Sequence, residues 1–175
     1  MLTEGQKNYL NNLSNERSEG LITITPYNPK TDLIAEKVVK QIKEILPESD
    51  IRYMGASALK ISGQNDVDIY IISTNDLKET YLSKLSVKFG NQIKRKWQWF
   101  DDGIEVSVYV SDPSDAKFQE QLRIFDILKH TPEILKKYEV LKESMNNRSY
   151  KEYQIAKYEF YNKVLGLEFG SNFVQ

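Results

Sequence analysis

Apolar residues along the chain recur with two periods, and the switch between them predicts the elements. Residues 2–18 carry a weak helical stripe of Leu2, Tyr9, Leu10 and Leu13, closed by Glu19-Gly20. L-I-T-I-T (21–25) alternates and is β-branched, which predicts a strand, and P-Y-N-P then turns the chain. From Thr31 to Leu46 the residues Leu33, Ile34, Val38, Ile42, Ile45 and Leu46 predict a broad buried helical stripe, capped by Thr31 or Asp32 and ended by Pro47. Ile51–Met54 reads as a short strand feeding a turn at Gly55. V-D-I-Y-I-I-S (67–73) is a continuous apolar run, expected of a strand covered on both faces.

Thr74-Asn75-Asp76 opens a further helix that Gly90 ends. Two strand-like runs follow, 93–100 and 104–110, and Asp101-Asp102-Gly103 between them is a hairpin signal. From Asp115 the pattern is helical over about 115–130, 132–146 and 149–165, with Pro132 suited to a first turn. The expected fold is therefore α/β (α+β), a mixed sheet flanked by helices with a C-terminal helical subdomain. Its expected parts are an N-terminal helix (1–20), an α/β core (21–114) and a helical part (115–175) packed on it as one structural unit.

Composition narrows the function classes. The 175 residues suffice for one buried core, and 24 basic against 25 acidic side chains leave a net charge of -1. That balance gives no electrostatic case for nucleic acid or a membrane surface as partner. The absence of cysteine excludes disulfides and thiolate metal sites, and a single histidine argues against zinc or a Ser/His/Asp triad. No signal-like or membrane-length apolar run is present, so a cytoplasmic location is expected. No G-x-x-x-x-G-K-[ST] loop is present either, which disfavours a P-loop kinase.

The chemistry concentrates in Y-M-G-A-S-A-L-K-I-S-G-Q-N-D-V-D-I-Y-I-I, residues 53–72. Side chains two apart on a strand share a face, so Asp66 and Asp68 project together while Val67 and Ile69 point the other way. Paired carboxylates repel unless a cation lies between them or one takes a proton. Such oxygens suit Mg2+ (or Mn2+), which commonly binds through one or two carboxylates and substrate phosphates. Gly55 allows backbone to approach a phosphate closely, and Ser57 offers a hydroxyl. A Gly-Ser turn, a spacer of about ten residues and Asp-hydrophobic-Asp on a strand resemble the nucleotidyltransferase superfamily. Solvated surface is the ordinary fate of a D-x-D pair, and the turn and apolar strand beside it are what favour a site. Glu105, opening the strand I-E-V-S-V-Y-V, is the candidate third carboxylate, to bind metal or draw a proton. Asp101, Asp102, Asp112 and Asp115 read instead as turn and cap residues.

Longer stretches resemble the GrpB family, from about Thr25 to Leu165. T-P-Y-N-P is similar to its tyrosine-and-proline turn, and the 53–69 stretch to its Gly-Ser-Thr-Ala…Lys-Pro-Ile-Ile-Asp-Ile signature, with Asp68 on the family's aspartate. L-R-I-F-D-I-L-K-H-T-P-E, Y-E-V-L-K (138–142) and Y-Q-I-A-K-Y-E-F (153–160) resemble its helical segments. The chain departs from the family pattern at Ala56, at the shortened loop Lys60-Ile61-Ser62-Gly63, at Gln64-Asn65 and at Phe125. It gains Asp66, which the family usually lacks. The resemblance implies the nucleotidyltransferase fold.

Other residues divide between two accounts. His130 before Thr131-Pro132 reads as a carbonyl cap. Lys94-Arg95-Lys96 with Trp97 and Trp99 reads as a solvated edge backed by packed aromatics rather than a nucleic-acid patch. Tyr138 and Lys142 share a helix face, as do Tyr153 and Lys157. Either the lysines extend to solvent over core tyrosines, or Lys142 and Lys157 line the cleft opposite the acids. The expected function is Mg2+-dependent transfer of a nucleotidyl group from a nucleoside triphosphate to an unknown acceptor hydroxyl. Asp66, Asp68 and Glu105 would be catalytic and metal-binding, and Gly55, Ser57, Lys60, Lys142 and Lys157 would be nucleotide-binding. The alternatives are an inactive nucleotide-binding or interaction module of the same fold, and a purely structural scaffold.

Overall fold

The computed structural model describes residues 1–93 and 96–169. Lys94 and Arg95 of the basic run, and the end of the 115–175 segment, lie outside the described residues. Among the described residues the order is α1 (Glu4–Asn11), α2 (Asn15–Glu19), α3 (Lys30–Ile45), β1 (Asp50–Met54), α4 (Gly55–Ala58), β2 (Val67–Ile72), α5 (Asn75–Phe89), β3 (Lys96–Asp101), β4 (Ile104–Ser111), α6 (Ala116–His130), α7 (Pro132–Ser144) and α8 (Tyr150–Phe169).

The four strands form one mixed sheet in the order β1-β2-β4-β3. β1 runs antiparallel to β2, β2 parallel to β4, and β3 antiparallel to β4 through the Asp102-Gly103 turn. Alternation divides the sheet into two faces. Val67, Ile69, Ile71, Val106, Val108 and Trp97 are buried on one, against Ile34, Ala35, Val38 and Ile42 of α3 and Leu85 of α5. Burying a side chain of this size is worth about 1.5–3 kcal/mol, so this layer is the main stabilising core. The other face carries Asp68, Tyr70, Ser107, Tyr109 and Lys96. There α6 packs through Phe118, which stacks on Tyr70 (5.4 Å), itself stacked on Tyr109 (4.7 Å).

The helical half has its own cluster, in which Ile124, Leu128, Tyr138 and Val164 meet Ala56 and Ile61 from the turn region. A third cluster joins Ile22 and Ile24 to Tyr153. These shared clusters hold the helices across the acid-bearing face.

Several expectations are corrected in detail. The first helix is two, because the Ser14 hydroxyl accepts from Arg17 N–H and restarts the helix there. Residues 21–25 have buried Ile22 and Ile24 as alternation requires, yet they form no strand. They make only isolated bridges, Leu21 with Ser149 and Thr25 with Gly63. Leu33 is exposed, since α3 buries the i, i+4 row Ile34, Val38 and Ile42 and gives the place in its first turn to Thr31. Thr31 is not the cap: its hydroxyl donates to Asn28 O (2.7 Å), and Pro29 occupies the cap position. Among the described residues β3 runs Lys96–Asp101, and Ile93 makes an isolated bridge to Lys96.

Candidate functional site

The site is assembled where β1 turns into α4 and returns as β2. Gly55 has φ +90, a conformation that L side chains rarely adopt, and a Cβ there would lie 3.3 Å from Asp68 Oδ2. Glycine is thus required by both the turn and the close approach of backbone to the acid. Gly63 closes the following loop onto α4, and a Cβ at that position would fall 2.7 Å from the Ala56 methyl.

Asp66 immediately precedes β2 and Asp68 lies within it on the face opposite the buried Val67 and Ile69. Across the parallel pair, Val67 is level with Val106 and Asp68 with Ser107, which places Glu105 beside Asp66. The Asp68 carboxyl is pushed up to about 7, first by burial and then by the charge of Asp66, with Glu105 adding to the same effect. The positive charges of Lys157 and Lys96 pull in the opposite direction. Asp66, Glu105, Lys157 and Lys96 therefore all act on the Asp68 carboxyl. Tyr70 and Tyr109, on the same face of the sheet, have their hydroxyls held neutral by burial and by the negative charge of Asp68.

Lys96 is the residue whose place at this site the sequence reading missed. Its Nζ donates to Ser107 Oγ (3.0 Å), lies 4.0 Å from Glu105 Oε1 and stands over the Tyr109 ring at 5.6 Å. The signal was present in the alternation of β3: a residue opposite the packed Trp97 must share the face of the acids. Lys157, on α8, lies close enough to Asp68 for its charge to act on that carboxyl. Its ammonium is held charged chiefly by Tyr161, over whose ring it lies at 5.5 Å, with Tyr153, Tyr158 and Tyr70 contributing against the cost of burial.

The remaining residues are placed elsewhere. Lys142 is buried, donates to Tyr153 Oη (2.7 Å) and lies over the rings of Tyr138 and Tyr153. It neither extends to solvent nor points to the acids, because the tyrosine cluster offers a charge-assisted bond and two ring faces. Ser57 is also buried, and its hydroxyl has no hydrogen-bond partner. It faces the similarly sealed hydroxyl of Tyr53, on the α3 side of the sheet. Lys60 is exposed and leans toward Asp32 (3.7 Å) on that same side. His130 caps its own helix through Nδ1 to Asp126 O (2.9 Å), as the sequence suggested. Asp112 and Asp115 likewise accept the backbone N–H groups of Ser114 and Phe118.

Two adjacent carboxylates are hard oxygen donors of the kind Mg2+ takes, and the Asp68 carboxyl is pushed up first by burial and then by the charge of Asp66. Among the described residues no group of three acidic or histidine side chains converges to hold a metal ion. Glu105 is drawn toward Lys96 instead of completing such a set. The pair therefore fits an ion whose other positions are filled by water and substrate phosphate oxygens.

The fold is that of a mixed α/β protein, a four-stranded mixed sheet flanked by helices. The model of the GrpB protein family matches residues 21–166, and the chain belongs to that family. Conserved protein GrpB from Enterococcus faecalis overlays with a TM-score of 0.62 at 15% identity, covering 84% of this chain and 99% of that one. The RNA terminal uridylyl transferase Cid1 overlays at 0.42 with 11% identity, over 76% of this chain and 45% of that one. The STING-associated CdnE c-di-GMP synthase from Capnocytophaga granulosa overlays at 0.39 with 24% identity, over 50% and 34%. No curated protein matches the chain. No helix among the described residues is long and apolar enough to cross a membrane.

Proposed function

We propose that this chain transfers a nucleotidyl group from a nucleoside triphosphate to an acceptor hydroxyl, with Mg2+ or Mn2+ held by Asp66 and Asp68. The observation that carries the reading is the pairing of two carboxylates with two ammonium groups whose charges act on Asp68, Lys96 from β3 and Lys157 from α8. The acids suit a cation, and the lysines suit the anionic triphosphate that such a cation accompanies. When bound, the ion would neutralise charge on the attacking and leaving oxygens.

The chain's own residues supply the rest. Lys157 and Lys96 orient the phosphates, and the backbone at Gly55 lets them come close to Asp68. Glu105 is partly accessible on the neighbouring strand, and it accepts the proton of the acceptor hydroxyl as that oxygen bonds to the α-phosphorus. The bond to pyrophosphate breaks in the same step.

The sealed hydroxyl of Ser57 and the buried Lys142 remove two expected phosphate contacts, and they favour a second reading, a nucleotide-binding module without turnover. Thermal melting with ATP, GTP, CTP and UTP, each with and without Mg2+, tests the binding. A nucleotide at 100 times its dissociation constant adds about 2.7 kcal/mol, and Asp68→Asn should abolish that gain. No Mg2+-dependent shift with any nucleotide would sink both readings. A shift without pyrophosphate release over a panel of hydroxyl acceptors would select the second.

A further inference from the structure

A cavity of about 530 Å³ opens between β1 and α6, and the reaction proposed above leaves it unassigned. Its size is that of a small-molecule site. β1 is an edge strand, so the cavity is open to the side. Met54 lines it and is also the register partner of Asp68. Opposed residues of an antiparallel pair share a face with Cα atoms about 4.5–5.5 Å apart. The cavity thus begins one strand away from the acid pair, on the acids' own face of the sheet.

Its lining divides by chemistry. Met54, Leu122 and Phe125 give an apolar wall, while Arg52 and Lys129 bring two cations to the rim. The single acid in the lining, Asp126, is engaged by His130 at 3.1 Å. Arg52 is braced by Asp50 of its own strand (2.9 Å), which fixes its guanidinium at the mouth. Phe125 holds its ring beside these cations from the middle of α6, which the Phe118 stack on Tyr70 fastens to the sheet. An apolar wall under a cationic rim recognises an anion with an apolar body, and a dianionic phosphate suits paired cations best. The net charge of -1 supplies no wider field for a polymer.

We infer that this cavity is a binding site for a small phosphate monoester with an aromatic or apolar body, held so that its hydroxyl faces Asp68 as the acceptor. Its role as acceptor site rests on the nucleotidyltransferase reading; the binding does not.

The test is an amide NMR titration of the full chain with phenyl phosphate. Saturable binding should perturb β1 and α6. Lys129→Glu should weaken it at least tenfold. Inorganic phosphate should bind several-fold more weakly, having no ring to bury. Arg52→Glu is a second variant, and both side chains are exposed, so the spectra will report a retained fold. The inference is overturned if binding does not saturate, if neither charge reversal weakens it, or if inorganic phosphate binds equally well. Perturbation centred on β2 and Glu105 instead of β1 and α6 would also overturn it, by moving the ligand to the acid pair. Phenyl phosphate binding without any Mg2+-dependent nucleotide shift would instead sink the proposed reaction and leave the cavity as a binding site.

Discussion

Asp68 is the residue at which the chain gives up stability for its cleft. Its carboxyl rises from 3.8 to about 7 in the folded protein, through burial and then Asp66 and Glu105, against the pull of Lys157 and Lys96. Between those two values the unfolded chain ionises while the folded one keeps its proton, so stability falls as pH rises from about 4 to about 7 and then levels. The rise is worth ~4 kcal/mol at most, and the part of Asp68 that stays in contact with water trims this to about 2 kcal/mol. Asp68→Asn should therefore be the more stable protein at pH 8, with the advantage fading toward pH 4. Paired urea melts at pH 4, 6 and 8 check this, and equal stabilities at all three would show that Asp68 ionises freely. At this scale the acid pair was legible, because period-two alternation fixes its face whatever the sheet order. The glycine requirement at Gly55 was legible only as a turn. Its 3.3 Å approach to Asp68 needs the chain to return as β2, which no local pattern records.

The element scale explains why the two lysines of the helical half diverge. Lys142 and Lys157 each stand four residues from a tyrosine, and the same local pattern left their surroundings open. Packing of α7 against α8 seals Lys142 onto Tyr153, whose hydroxyl burial would raise but which Lys157 and Lys142 together bring below its usual value. Lys142→Ala should cost about 3 kcal/mol, from lost stem packing and an orphaned buried hydroxyl. Lys142→Met keeps the stem and should cost about 1 kcal/mol, with the Mg2+-nucleotide shift intact. Lys157→Met should lose that shift. Melting curves of the three variants with and without Mg2+ and nucleotide decide the matter, and loss of the shift in Lys142→Met would return Lys142 to the cleft. The segment 21–25 shows the same limit of local pattern. Alternation correctly buried Ile22 and Ile24, but a strand also needs a partner edge, and β1 lies elsewhere. Lys96 was read as a solvated edge for a related reason: its exposure depended on β3 lying beside β4, whose Ser107 and Glu105 hold it.

For the whole molecule, the decisive contacts cross between the sheet and the helices. Ala56 and Ile61 leave the turn region to join the helical cluster, and Phe118 of α6 stacks on Tyr70 of the sheet. Neither half can bury its surface alone, so the two should unfold together. The chain carries a natural probe for each. Its two tryptophans, Trp97 and Trp99, both lie on β3 and report on the sheet, whereas ellipticity at 222 nm is dominated by the helices. Thermal melts followed by tryptophan fluorescence and by ellipticity should coincide. Phe118→Ala should shift both equally, by about 3 kcal/mol, since it opens a cavity at the seam. If the helical signal melted first and the tryptophans kept their native emission, the sheet would be an independent unit. The cleft between Asp68 and Lys157 would then be an interface between two bodies, assembled only when both are folded. Coincident melts would instead make the spacing of acids and lysines a property of one cooperative core, fixed before any nucleotide arrives.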